Sequence, residues 1–178
     1  MGNLLPTHLF TPIIVMGVSG CGKTTVGRAL GERLNATFLD ADDFHPAENV
    51  VMMRAGTPLT DADRAPWLSI LNAQLRTRSE HGERVVLACS ALKANYRIRI
   101  GAGLPPLHWV FLDGSFEMIA ARLRERANHY MPESLLRSQF DALERPDNAL
   151  CISMELNPEE QVEAALSALF HKPKARVL

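Results

Sequence analysis

Residues 13–24 read Ile13-Ile14-Val15-Met16-Gly17-Val18-Ser19-Gly20-Cys21-Gly22-Lys23-Thr24. The first four are apolar at every position, the pattern of a parallel strand covered on both faces. From Thr24 to Asn35 the apolar residues Val26, Ala29, Leu30 and Leu34 fall at helical spacing, so a strand, a glycine turn and a helix follow one another directly. The turn matches GxxxxGK[ST] in full. With 11 Gly, 4 Lys and 17 Ser plus Thr in the chain, a chance match somewhere is about a one-in-a-thousand event. Glycines at these positions let successive N–H groups point into one concavity, and the helix start behind them adds its positive dipole end. The expected occupant is a polyphosphate, cradled by Gly17, Val18, Ser19, Gly20, Cys21, Gly22, Lys23, Thr24 and Thr25. Lys23 reaches the outer phosphates of a nucleoside triphosphate, and the Thr24 hydroxyl is placed for its magnesium.

Working outward, the same alternation recurs. Thr37-Phe38-Leu39 reads as a second strand ending at the acids Asp40, Asp42 and Asp43. The polar stretch from Asn49 to Asp63 reads as a loop marked by Gly56 and Pro58, before a helix from about Arg64 to Ser79. Arg84 to Cys89 and Trp109 to Leu112 are the third and fourth strands, and Leu150 to Met154 is the candidate fifth. Ser115 is placed to cap a helix with Phe116, Ile119, Ala120 and Leu123 on its inner face. Asn157 is placed to cap a last helix that begins at Pro158 and turns Val162, Ala165, Leu166 and Leu169 inward. Strands alternating with helices predict an α/β fold with a five-stranded parallel sheet between helical layers. The residues after 171 read as a tail.

The chain has 178 residues, 47% hydrophobic and 22% charged, values ordinary for one soluble domain spanning residues 1–178. Nineteen basic and twenty acidic side chains leave a net charge of -1, too little for the field that holds nucleic acid or an anionic membrane. Fifteen of the nineteen basic residues are Arg, whose planar fork suits phosphate and carboxylate. Cys21, Cys89 and Cys151 form no CxxC spacing and fit a reducing cytoplasm rather than a disulfide or zinc framework. No stretch approaches the apolar length of a membrane span, and Pro6 stands where a myristoylation start needs Ser or Thr. The expected partner is a small molecule.

A guanine-nucleotide switch needs an Asn-Lys-x-Asp element, which the chain lacks. Asp113, after the fourth strand, superficially resembles the magnesium acid of a motor ATPase, although acids in turns after strands are common. Asp40 and Asp42 are better placed, at alternate positions by the carboxyl end of a strand, where open α/β sheets bind ligands. One can serve Mg²⁺ and the other can accept the proton of an attacking hydroxyl.

Three blocks carry a family likeness: residues 40–45 (DADDFH), 56–68 (GTPLTDADRAPWL) and 89–97 (CSALKANYR). With Arg122 to Arg126, His129, Leu136-Arg137-Ser138-Gln139-Phe140, Glu144 and Pro146, they resemble gluconokinases, kinases of the shikimate-kinase-like P-loop group, over Ile13 to about Leu169. The resemblance implies a three-layer P-loop kinase fold with a helical lid over about residues 122–140, in a homodimer. It implies ATP- and Mg²⁺-dependent phosphorylation of D-gluconate to 6-phosphogluconate, feeding the pentose phosphate or Entner–Doudoroff route. By the same likeness Asp40 goes to the magnesium side and Asp42 to the substrate hydroxyl. Candidates for the acceptor are His45, Arg54, Asp63, Arg64, Ser90, Lys93, Arg97 and Arg137. Arg122 and Arg126 are candidates for the nucleotide, with Arg126 at the transferred phosphate and Arg122 at the phosphates or flanking adenine. A sugar acid needs cations for its carboxylate, polar groups for its hydroxyls and one base, and these residues supply all three. A kinase for another hydroxy acid such as shikimate, and a nucleotide-binding regulator without transfer, are the competing readings.

Overall fold

The computed structural model describes residues 11–125 and 132–170. In chain order the elements are β1 (Ile13–Met16), α1 (Lys23–Leu34), β2 (Thr37–Asp40), a 3₁₀ turn (Ala41–Phe44), α2 (Ala47–Arg54), α3 (Asp61–Glu80), β3 (Val85–Ala88), α4 (Ala94–Gly101), β4 (His108–Asp113), α5 (Phe116–Glu125), α6 (Glu133–Ala142), β5 (Leu150–Ser153) and α7 (Pro158–Phe170). The strands form one parallel sheet in the order β2-β3-β1-β4-β5. No helix among the described residues is long and apolar enough to cross a membrane.

β1 lies between β3 and β4, with Ile13 opposite Val86 on one side and His108 on the other. Its four side chains are fully buried because they alternate between layers. Ile13 and Val15 join the core under α1, α5, α6 and α7, while Ile14 and Met16 join the one under α3 and α4. That two-sided burial explains the uninterrupted apolar run. All five strands point their carboxyl ends to the same edge, where Asp40, Ser90 and the glycine turn collect.

The expected strands are present, each within two residues of its anticipated ends. The stretch from Asn49 to Asp63 is not the continuous loop expected. Helix α2 occupies Ala47–Arg54, and α3 starts at Asp61 rather than Arg64. Val51 and Met53 of α2 are exposed, so its apolar residues make no readable stripe. The helix is held by the buried Asn49, whose Nδ2 donates to the Asp63 carbonyl at 2.8 Å. The early start of α3 comes from a reciprocal capping box: Asp63 N–H donates to Thr60 Oγ1, and Asp63 Oδ2 accepts from Thr60 N–H at 2.7 Å. Ser115 caps α5 as expected, its Oγ accepting from Met118 N–H at 3.2 Å. Asn157 caps α7, with Glu160 closing a second box.

α1 ends at Asn35, in the left-handed region at φ 48, with Ala36 N–H returned to the Gly31 carbonyl. Helix and sheet approach closely at Gly27, where an added Cβ would stand 2.7 Å from Cε2 of Phe38. Gly27→Ala should therefore destabilise the fold by about 1–3 kcal/mol despite alanine's better helix propensity. At about 2–4 °C per kcal/mol for a chain of this size, the melting temperature should fall measurably in calorimetry; an unchanged or raised value would mean that Phe38 yields freely.

Candidate active site

The glycine turn runs from the end of β1 into α1, and its local structure follows from its neighbours. Gly20 sits at φ 85, and a Cβ there would come within 2.8 Å of Leu123 on α5, so only glycine fits. Gly17 N–H contacts the Ser90 carbonyl at 3.4 Å, tying the turn to the end of β3. Cys21 turns its thiol into the core and is fully buried. The loop therefore offers backbone at this position, not a sulfur. Burial pushes the Cys21 thiol up and the Cys89 thiol up to about 12.

Lys23 folds back over the turn, its Nζ donating to the Val18 carbonyl at 3.0 Å. Two ammonium hydrogens remain for phosphate oxygens. Thr24 Oγ1 donates to Asp40 Oδ2 at 2.9 Å, which brings together the two expected magnesium ligands. Both are hard oxygen donors, and the pair fits Mg²⁺ held partly by protein and partly by phosphate and water. Asp40 Oδ1 accepts from Asp42 N–H at 3.2 Å, opening the 3₁₀ turn that carries Asp42. Although the Asp42 residue is exposed, desolvation by nearby protein and the charge of Asp40 push its carboxyl up, while Lys23 and His45 pull it down.

On the acceptor side, His45 stacks on Trp67 with ring centroids 4.3 Å apart. Trp67 is buried and anchors the 3₁₀ turn through Nε1, which donates to the Ala41 carbonyl at 2.8 Å. His45 Nδ1 is buried without a hydrogen-bond partner among the described residues. Burial lowers its pKa, opposed by Asp42 and aided by Arg64, so Asp42, His45 and Arg64 lie in one electrostatic neighbourhood. Arg64 donates back to the Leu59 carbonyl at the entrance of α3.

Lys93, at the start of α4, reaches across to Asp61, with Nζ 2.8 and 2.9 Å from its two oxygens. Tyr96 Oη donates to the same carboxylate. Hydrogen bonds donated by Lys93 and Tyr96 hold the Asp61 carboxyl below its usual range, and the bond that Lys93 donates to Asp61 raises the lysine's own pKa. Asp61 and Tyr96 were not among the expected site residues. Both fall within the quoted blocks, but nothing in their spacing signals a contact 35 positions apart.

The remaining candidates have other surroundings. Asp63 commits Oδ2 to the α3 cap, and Arg97 braces the β3–α4 connection by donating to the Ala91 and Leu92 carbonyls at 3.0 and 3.1 Å. Ala91 is held there in the left-handed region at φ 43. Arg54 is exposed at the end of α2. Arg137 stacks over Phe116, 4.1 Å from its centroid, on the α5–α6 side of the sheet. Asp113 is engaged by both terminal nitrogens of Arg145, one at 3.0 Å. Arg122 lies beside the turn, with a Gly22 Cβ position 3.6 Å from its terminal nitrogens. Arg126 and His129 lie outside the described residues, as does the middle of the expected lid. Gln139 on α6, unassigned from the sequence, contacts the turn directly: its Oε1 accepts from Ser19 N–H at 2.7 Å and its Nε2 donates to Ser19 Oγ at 3.1 Å.

A family profile described as an AAA domain matches residues 13–146. The thermosensitive gluconokinase of Escherichia coli (strain K12) is 43% identical over 163 residues, covering 88% of this chain and 87% of that protein. The crystal structure of a gluconokinase from Sinorhizobium meliloti 1021 superposes with a TM-score of 0.82 at 41% identity, covering 89% of this chain and 91% of that one. A shikimate kinase from Acinetobacter baumannii shares the fold, with a TM-score of 0.56 at 23% identity and coverage of 92% and 95%.

The thiols give a direct check on the geometry of the turn. Because Cys21 and Cys89 are buried and held protonated at neutral pH while Cys151 is exposed, a disulfide exchange reagent should titrate one thiol rapidly in the native protein and three after denaturation. Rapid reaction of a second native thiol would contradict the inward orientation of Cys21.

Proposed function

The chain belongs to the gluconokinase family of P-loop kinases, and on that premise we propose that it transfers the terminal phosphoryl group of ATP to D-gluconate, giving 6-phosphogluconate. The observation that carries the mechanism is the grouping of Lys23, Thr24, Asp40 and Asp42 at the carboxyl edge of β1 and β2.

The loop N–H groups and the start of α1 receive the phosphate chain, and Lys23 neutralises charge on its outer oxygens. Thr24 and Asp40 would hold Mg²⁺, which when bound offsets phosphate charge. Arg122 and Arg126 are assigned to the nucleotide side. Asp42 faces the acceptor hydroxyl and takes its proton while the hydroxyl oxygen forms a bond to the terminal phosphorus and the bond to the ADP oxygen breaks. A carboxyl shifted upward is a stronger base once ionised, which suits that step. His45, Arg64, Ser90 and Lys93 form the acceptor wall. Asp63 and Arg97 support it from behind, through the α3 cap and the β3–α4 connection. Arg54, exposed at the end of α2, and Arg137, stacked over Phe116, are the remaining candidates for the acceptor.

The wider setting follows from the same reading: a homodimer in the cytoplasm, where ATP is at hand, delivering its product to the pentose phosphate or Entner–Doudoroff route. Light scattering of the purified chain reads the oligomeric state directly.

The deciding experiment measures ADP release by purified protein with Mg²⁺, ATP and either gluconate or shikimate, with the product identified by phosphorus NMR. Gluconate-dependent release with formation of a 6-phosphate ester is expected; release only with shikimate, or none, overturns the assignment. Asp42→Asn should lower kcat by about two to four orders of magnitude while ATP affinity stays within a few-fold. In the unaltered protein kcat/KM should fall as pH drops toward the Asp42 pKa, because the base must be ionised. The upward shift places that acid limb above the value of about 4 typical of an aspartate. Asp40→Asn should raise the Mg²⁺ concentration for half-maximal turnover about tenfold or more.

A further inference from the structure

Ser19 N–H and the Val18 carbonyl belong to one peptide unit, and the structure grips that unit from both ends. Lys23 Nζ donates to its oxygen at 3.0 Å. Gln139 Oε1 accepts from its nitrogen at 2.7 Å. In a trans peptide the C=O and N–H point in opposite directions, so the lysine and the glutamine stand on opposite sides of one rigid plane. Rotating that plane by half a turn would set the Val18 oxygen against the Gln139 oxygen and the Ser19 N–H against the Lys23 ammonium. Both contacts would become repulsive.

The glutamine is itself held in place. One turn before it Leu136 is buried in the core, and the adjacent Phe140 packs edge-on against Phe116 at 5.5 Å. Beyond α6, Glu144 N–H donates to the Leu92 carbonyl and Glu144 Oε2 accepts from Ala94 N–H. The orientation of the amide is also determined, since the Ser19 N–H can only donate. Oε1 must therefore face it, which leaves Nε2 for Ser19 Oγ at 3.1 Å.

We propose that Gln139 is a positioning residue for nucleotide binding, acting through the Val18–Ser19 peptide to keep that carbonyl aimed at Lys23 and so to set where the ammonium meets the outer phosphates. The proposal rests on the loop being the ATP site, as assigned above. It makes Gln139 sensitive to the length of the phosphate chain, because Lys23 serves the outer phosphates. It also makes Gln139 and Lys23 two parts of one device.

The test is a double-mutant cycle on nucleotide affinity by calorimetry, with a non-hydrolysable ATP analogue and AMP as ligands and Mg²⁺ present. Gln139→Leu should weaken the triphosphate analogue about 10- to 50-fold and AMP less than twofold. In the Lys23→Ala background the same change should cost less than twofold, because the contact through which it acts is gone. Equal losses for both ligands, an undiminished loss in the Lys23→Ala background, or no loss at all would overturn the proposal. Should Gln139→Leu not fold, Gln139→Ala carries the same pattern at smaller amplitude, since water can reach the vacated Ser19 N–H. No acceptor is present in these titrations. Failure of the gluconate assignment would appear separately, as absent gluconate-dependent turnover in the unaltered protein.

Discussion

The site depends on the pairing of β1 with a parallel neighbour on each side. Because β3 and β4 both run alongside it in register, the carboxyl end of β1 opens at the middle of one edge, with the end of β3 beside it and that of β2 one strand further. The glycine turn, the acids after β2 and the Ser90–Lys93 connection meet there without any long excursion of the chain. A strand so enclosed has no exposed ladder groups, and its side chains are shared between two cores. The polar chemistry thus stands on the least yielding part of the molecule.

How much of this was legible in the sequence depends on the range of the interaction. β1, the turn and α1 form a continuous block whose pattern is local, and the structure places them within a residue of expectation. The Thr24–Asp40 pairing is legible because the glycine turn after β1 and the acids at the end of β2 share the carboxyl edge of one parallel sheet, so topology brings them close. The region after β2 is less legible. α2 exposes Val51 and Met53 and is fastened by Asn49, so neither periodicity nor apolar content announces it. α3 starts early because Asp63, an Asp where Glu or Gln is the usual residue, closes its capping box.

Contacts between distant segments were the least legible. Arg64, Lys93 and Arg97 all stand at the starts of α3 and α4, yet their side chains divide the work differently. Lys93 is engaged by Asp61, Arg97 is spent on backbone carbonyls, and Arg64 turns to its own helix entrance. Charge and position marked all three alike; partners chosen by tertiary packing separated them. Gln139 is the extreme case, an uncharged side chain whose contact with Ser19 spans 120 positions.

The engagement of Lys93 by Asp61 also bears on selectivity. An ammonium already balanced by a carboxylate presents little net field, so small inorganic anions gain little by settling there. On the proposed reading of Lys93 as an acceptor contact, a sugar acid, which offers a carboxylate together with a row of hydroxyls, would exchange places with Asp61 or bridge to Tyr96 while satisfying the groups it disturbs. Discrimination there would then come from the fit of a many-point replacement, with the Asp61 carboxylate guarding the cation against the simpler solutes that surround it.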